Sequence, residues 1–323
     1  MKRLSIALAI LGLLLGTILV GAFGFRRVVE TVLSVGWGGL ALVCAWQMLV
    51  FLPLGLAWDS LARARGVQRP GLFVWGRMVR DASINLLPFS QLGGFLFGAR
   101  AVMLHGIDWP VATATTVVDL TAEFLAEVVF AGMGLVIVLV RDPGTDLRVP
   151  LELGLGAAVL AATLFIWTQR GASTLFSRIS GRIASRRFSG AQAQVEMLGI
   201  ELDAIYRARF RLATGFLLHL SGWVATGVGG WIAYRVLGAR IDVATGIAIE
   251  ALVAALSAVT FLVPMSAGIQ EASYAGVGAI FGLPAEVSLA ASLLRRARDI
   301  VVGVPILLAW QVLEMRRLRA VAG

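Results

Sequence analysis

Two stretches of this chain place proline, serine and glycine inside hydrophobic runs where a membrane helix would carry Leu and Val. The first runs from Leu86 through Pro88, Ser90, Gln91, Gly93 and Gly94; the second runs from Val263 through Pro264, Ser266, Gly268, Gln270 and Glu271. Proline removes a backbone donor and glycine loosens a helix, so each stretch predicts a broken or re-entrant helix. Non-helical backbone at membrane depth survives only where protein buries it or where it lines a wet cavity. Two such breaks in corresponding positions of two halves are a strong sequence pointer to a transport site.

The surroundings of these stretches are membrane-like. Of 323 residues, 59% are hydrophobic and 15% charged, whereas soluble domains carry about 25% charged residues. Apolar runs of the ~18 residues or more that mark a membrane span lie at about 4–25, 36–58, 111–140, 151–168, 212–237 and 244–263, with another at 285–313 interrupted by charge. The Pro-Ser-Gly stretches, about 82–104 and 264–282, read as further crossings or re-entrant hairpins. The fold class is therefore an all-α integral membrane protein. It has about 7 to 9 hydrophobic segments in two related halves, each with a broken or re-entrant helix. The whole chain, 1–323, reads as one polytopic domain with repeat elements at about 82–140 and 258–313. The first apolar run follows Lys2 and Arg3 but is too long for a signal peptide and has no Ala-x-Ala site, so it reads as a retained helix.

The net charge of +9 is distributed as membrane proteins distribute it, not as a nucleic-acid surface. Residues 169–211 hold eight arginines against Glu196, Glu201 and Asp203. A second basic group comprises Arg63, Arg65, Arg69, Arg77 and Arg80, and Arg316, Arg317 and Arg319 follow the last span. Loop cations of this kind mark the cytoplasmic side and meet anionic lipid headgroups. The 169–211 segment reads either as an amphipathic helix in the headgroup region or as a solvated connector. Seven plain crossings from a cytoplasmic N-terminus leave the basic tail outside, against the charge rule. Cys44 is the sole cysteine and reads as a structural thiol; His219 reads as a polar packing residue, and no Cys/His spacing indicates a metal.

The two halves match at an offset of 176 residues: Pro88 with Pro264, Ser90 with Ser266, Gly106 with Gly282, Val111 with Val287, Ala114 with Ala290, and Glu123 opposite Asp299. Each copy leads into a helix with intramembrane charge. Asp119, Glu123 and Glu127 recur every four residues and form one acidic stripe. Arg295, Arg296, Arg298 and Asp299 interrupt the later helix. A mid-membrane charge costs about 2.5–3.5 kcal/mol on insertion scales, so such groups pair or face a polar cavity. At the same offset Asp119 corresponds to Arg295, and a pair such as Asp119–Arg295 or Glu123–Arg295 satisfies both halves. Arg295 with Asp299, at i and i+4, is the pairing within one helix. These groups either lock the bundle or meet a substrate headgroup or ion. Arg100, Glu250 and Glu271 belong to the same list. Half-helix ends at Ser90, Gln91, Gly93, Gly94, Ser266, Gly268 and Gln270 offer backbone N–H groups to an anion.

The Leu-Pro-x-x-x-x-Gly-Gly stretch leading to Arg100, the Pro-x-x-x-Gly-x-x-Glu stretch from Pro264 to Glu271, and Arg295 resemble the lysylphosphatidylglycerol synthase transmembrane-region family, whose members are called flippase-like. The stretch from Leu86 to Phe95 and the cluster from Arg295 to Asp299 resemble its hopanoid-biosynthesis-associated subgroup. The resemblance implies a bacterial inner-membrane protein that handles a lipid, with site residues Pro88, Gly93, Gly94, Arg100, Pro264, Gly268, Glu271 and Arg295. Phe95 stands where many relatives carry glutamate. Three functions follow as expectations: a translocator of a hopanoid or phospholipid-type amphiphile, a lipid-modifying enzyme using Asp119, Glu123 and Glu271 as acid/base groups, or a scaffold for lipid-biosynthesis proteins. No nucleotide-binding loop and no cofactor motif is present.

Overall fold

A computed structural model describes residues 25–87, 90–141, 189–259 and 269–320, with isolated helical positions between 149 and 163. These residues form nine α-helices and a short 3-10 turn, with no strand among them. The helices are α1 (Phe25–Ala62), α2 (Pro70–Leu86), α3 (Ser90–Met103), α4 (Trp109–Arg141), α5 (Ser189–Arg207), α6 (Arg209–Val236), α7 (Val243–Val259), α8 (Ile269–Ile280) and α9 (Ala285–Ala320). The expected spans at 4–25 and most of 151–168 lie outside the described residues, as do Pro88, Pro264, Ser266 and Gly268. Three helical stretches, Leu33–Arg65, Trp109–Arg141 and Arg209–Val236, are long and apolar enough to cross a membrane.

The Pro-Ser-Gly stretches separate short helices. Leu87 is extended (φ −99, ψ 137), because a following proline drives its predecessor out of the helical region. The 17 residues of α2 and 14 of α3 reach only about 26 and 21 Å, short of a ~30 Å hydrocarbon core. They fold against each other as a hairpin. Its two open ends sit side by side, because Arg69 Nη1 donates to the His105 carbonyl at 2.6 Å. Close packing within the hairpin depends on Gly94 and Gly98. A Cβ on Gly98 would lie 2.9 Å from Arg80 Cβ, and one on Gly94 would lie 2.4 Å from Ile84 Cγ1. Helices α7 and α8, of 17 and 12 residues, pack against each other in the same way.

The hairpins open at opposite ends of the bundle. At the first hairpin's end lie the arginine-rich turn after α1, α5 and the start of α6. Arg65 Nη2 donates to Glu201 Oε1 at 2.9 Å, and Ser60 Oγ to the Arg211 carbonyl at 3.3 Å. The end of α9 joins them: Arg317 Nη1 reaches the Met103 carbonyl at 3.1 Å, and Arg100 pairs with Glu314 at 2.8 Å. The basic tail thus sits at the same end as the arginines of the turn after α1 and the start of α6.

At the other end, Arg141 closes α4 by bonding to Asp242 and Thr245 at the start of α7. Leu135 and Val138 of α4 share a buried cluster there with Tyr234, Phe281 and Leu283. The turns into α4 and α9 are built alike. Gly106 (φ 88) and Gly282 (φ 68), 176 residues apart, both occupy the left-handed region that ends a helix. Gly106 N donates to the Met103 carbonyl and Gly282 N to the Ala279 carbonyl; Ala112 N reaches Asp108 and Ser288 N reaches Pro284. Each pair is again 176 apart.

Of the 169–211 segment, the described part is α5 and the first residues of α6; α5 packs along α4 through Leu198, Leu202, Ile205 and Tyr206. The last expected run, 285–313, is one continuous helix to Ala320 that contains Pro305.

Candidate functional site

A cavity of about 480 Å³ is lined by the ends of α2 and α7 and by the long helices. Ile84 and Asn85 reach it from the end of α2, Ser257 from the end of α7, and Phe95 from α3. The long helices complete it: Gln47 from α1, Glu123, Phe124 and Glu127 from α4, Trp223 and Thr226 from α6, Arg295 and Arg298 from α9. The lining is a charged band within an apolar wall.

On one wall, α2 turns Arg77, Arg80 and Asp81 inward, spaced at a helical period with Ile84 and Asn85. Arg80, 1% exposed, donates from Nη1 to Asp119 Oδ2 at 2.7 Å and from Nη2 to Glu123. Arg77 Nη2 meets the other oxygen of Glu123 at 2.6 Å, and Arg77 Nε lies 2.8 Å from Asp81. His219 of α6 closes the group, with Nε2 2.8 Å from Asp119 Oδ1 and both side chains fully buried. The Arg80 guanidinium also lies 5.4 Å from the Phe95 ring and 6.0 Å from Trp58, a distance at which ring quadrupoles attract cations. Charges this deep are tolerable only when paired on several sides.

The opposite wall carries a second group. Arg295 Nη1 donates to Glu250 of α7 and, at 3.0 Å, to the Tyr274 hydroxyl of α8; the same hydroxyl donates to Glu250. Gly230 of α6 makes room for this carboxylate, since a Cβ there would lie 2.3 Å from Glu250 Cγ and 2.6 Å from Oε1. Arg298 lies 2.7 Å from Asp299, and Arg296 2.7 Å from Glu271.

The expected pairings are therefore corrected. Asp119 and Glu123 do not meet Arg295; they pair with Arg77 and Arg80 of α2, and Arg295 pairs with Glu250 of α7. In the first half, the cation is on the leading helix (Arg80) and the acid on the third (Asp119). In the second, the acid leads (Glu250) and the cation follows (Arg295). Asp299 pairs with its neighbour Arg298, not with Arg295 four residues earlier. Arg77 and Arg80, grouped in sequence with the loop cations, are buried in α2. Their signal lies in the sequence: Arg77, Arg80, Asp81 and Asn85 form a polar helical stripe that loop residues have no reason to keep.

Among the other expected residues, Glu123, Arg295 and Arg298 line the cavity, and Asp119 lies behind it. Gln270 Nε2 donates to Ser292 Oγ at 3.2 Å, and Glu271 is held by Arg296. Arg100 is exposed at the basic end with Glu314, away from the cavity. Ser90 and Gln91 form the first turn of α3, and Gly93 and Gly94 follow within it. Gly94 serves hairpin packing, whereas a Cβ on Gly93 would meet only Phe97 at 3.7 Å. Among the described residues, no three His, Cys, Asp or Glu side chains are grouped to hold a metal.

A family model described as the lysylphosphatidylglycerol synthase TM region matches residues 4–306. No curated protein matches the chain, and no solved structure does.

Proposed function

Since the chain belongs to the lysylphosphatidylglycerol synthase TM-region family, a group of membrane proteins that handle lipid, we propose that it is a flippase-like translocator. It moves an amphipathic lipid, hopanoid or phospholipid-type, across or within a bacterial inner membrane. One observation carries the reading: two short-helix hairpins enter from opposite ends, and both contribute residues to one charge-lined cavity. That arrangement is the one expected of an inverted repeat, in which rocking of one half against the other exposes a fixed midplane site to alternate faces. We read the halves, α2–α4 and α7–α9, as products of an internal duplication.

The cavity suits a headgroup, being within the size range of small-molecule sites, while the lipid's apolar body stays in the bilayer. The multi-pass chain places its arginine-rich end in the cytoplasm, against anionic headgroups. Lipid-biosynthesis proteins are its expected partners. Guanidinium groups hold both oxygens of Glu123 and one of Asp119, which speaks against their use as acid/base catalysts and for a carrier rather than an enzyme.

The test is a leaflet-resolved assay in proteoliposomes with headgroup-labelled phosphatidylglycerol and, separately, an aminated hopanoid. Protein-dependent appearance of label in the opposite leaflet, without chemical change, supports the reading. Unchanged distribution of both lipids overturns it, and chemical conversion transfers the assignment to a lipid-modifying enzyme.

A further inference from the structure

Glu127 is the one carboxylate lining the cavity with neither a counter-ion nor a hydrogen bond among the described residues. Its α4 neighbours are apolar or already engaged. Glu123, one turn away, is held by Arg77 and Arg80. The cavity that Glu127 lines is shared with Arg77, Arg80 and Asp81 of α2, Trp223 and Thr226 of α6, Ser257 of α7, and Arg295 and Arg298 of α9. Every one of those arginines is committed: Arg77 and Arg80 as above, Arg295 to Glu250 and Arg298 to Asp299.

The charge census leads to the same residue. The four arginines that line the cavity pair with five carboxylates, Asp81, Asp119, Glu123, Glu250 and Asp299, and Glu127 makes a sixth. A charged His219 still leaves one carboxylate over. An ionised group without a partner near the middle of a long apolar helix is costly, and intramembrane carboxylates in cavities are where transporters bind protons.

We propose that Glu127 is the proton-carrying group of this cavity. It takes a proton from hydronium in the cavity to become a neutral acid, leaving water. It returns that proton to water when the site faces the other side, so only an O–H bond forms and breaks. Lipid movement is thereby linked to the proton gradient. The linkage rests on the translocator reading; the proton site does not.

Two measurements separate these parts. In purified protein, difference infrared spectroscopy is expected to show a carboxylic-acid carbonyl band that disappears on raising the pH and is missing in Glu127→Gln. Dicyclohexylcarbodiimide, which attacks protonated carboxyls in apolar surroundings, is expected to label Glu127 in the unmutated protein, as read by peptide mass. A band unchanged in Glu127→Gln, or labelling that spares Glu127, overturns the proton site. In proteoliposomes with labelled phosphatidylglycerol and an imposed pH gradient, the unmutated protein is expected to move lipid faster than without the gradient. Glu127→Gln loses that stimulation, and Glu127→Asp regains part of it. Lipid movement indifferent to the gradient overturns the linkage alone. Absence of any lipid movement overturns the translocator reading and the linkage with it, while the infrared result still decides the proton site.

Discussion

Arg80 of α2 and Asp119 of α4 form an ion pair at 2.7 Å in which the side chains are 1% and 0% exposed. Both are buried, so the pair holds the first hairpin to the long helix that follows it. Removing one partner strands the other charge. Arg80→Ala is expected to destabilise the detergent-solubilised protein by about 3–5 kcal/mol, the usual cost of leaving a buried charge uncompensated. Arg80→Met combined with Asp119→Leu recovers much of that loss, as read by thermal unfolding. A double variant no better than the sum of its parts argues against the pair.

The two charge groups are separate networks, and double-mutant cycles distinguish that from a bond between the halves. Glu250 and Arg295 share an ion pair and the Tyr274 hydroxyl, so their alanine substitutions are expected to couple by about 0.5–3 kcal/mol. Asp119→Ala and Arg295→Ala, with no shared partner, are expected to add. Strong coupling in the second cycle restores the pairing that the sequence alone suggested.

Gly230 shows how a packing position guards a charged one. Its α-carbon faces Glu250 so closely that any side chain displaces the carboxylate from Arg295 and Tyr274. Overpacking of this kind costs about 1–3 kcal/mol. Gly230→Ala is expected to lower thermal stability in the unmutated background and to cost less once Glu250→Ala has emptied the space. Equal cost in both backgrounds is the contrary result.

What the sequence disclosed and what it withheld divide by the range of the interaction. The broken helices at Pro88 and the turns at Gly106 and Gly282 are local events, set by a ring that pushes Leu87 into extended backbone and by glycines that tolerate positive φ. They were therefore legible, as was the acidic stripe of Asp119, Glu123 and Glu127. Partner choice was not. Asp119 meets residues 39 and 100 positions away, and no period in the chain encodes which cation fills its pocket. Complementary charge at equivalent positions invited a bond across the halves. Opposite insertion of the hairpins instead gives each half its own cation and its own acid. Arg77 and Arg80 follow the loop arginines Arg63, Arg65 and Arg69 closely in sequence, and only their helical period with Asp81 and Asn85 sets them apart.

At the end of the bundle away from the basic loops, Asp242 caps α7: its Oδ1 accepts the Thr245 N–H at 2.8 Å, and Arg141 binds its other oxygen. These bonds to the ionised form lower its pKa from 3.8 to about 2. A depressed pKa means that the folded state holds the proton less readily than the unfolded chain does. The stabilisation is therefore complete above about pH 4 and is lost as pH falls through about 2. The side chain is 60% exposed, so solvent screens the pair with Arg141 and the cap supplies most of the effect, about 0.5–1 kcal/mol. Amide hydrogen exchange in the first turn of α7 is expected to accelerate on acidification across that window. Asp242→Asn keeps a capping oxygen but cannot titrate, so exchange there becomes independent of pH apart from the intrinsic chemistry. Asp242→Ala exchanges faster at every pH. Identical acid responses in the unmutated protein and Asp242→Asn place the titrating group elsewhere.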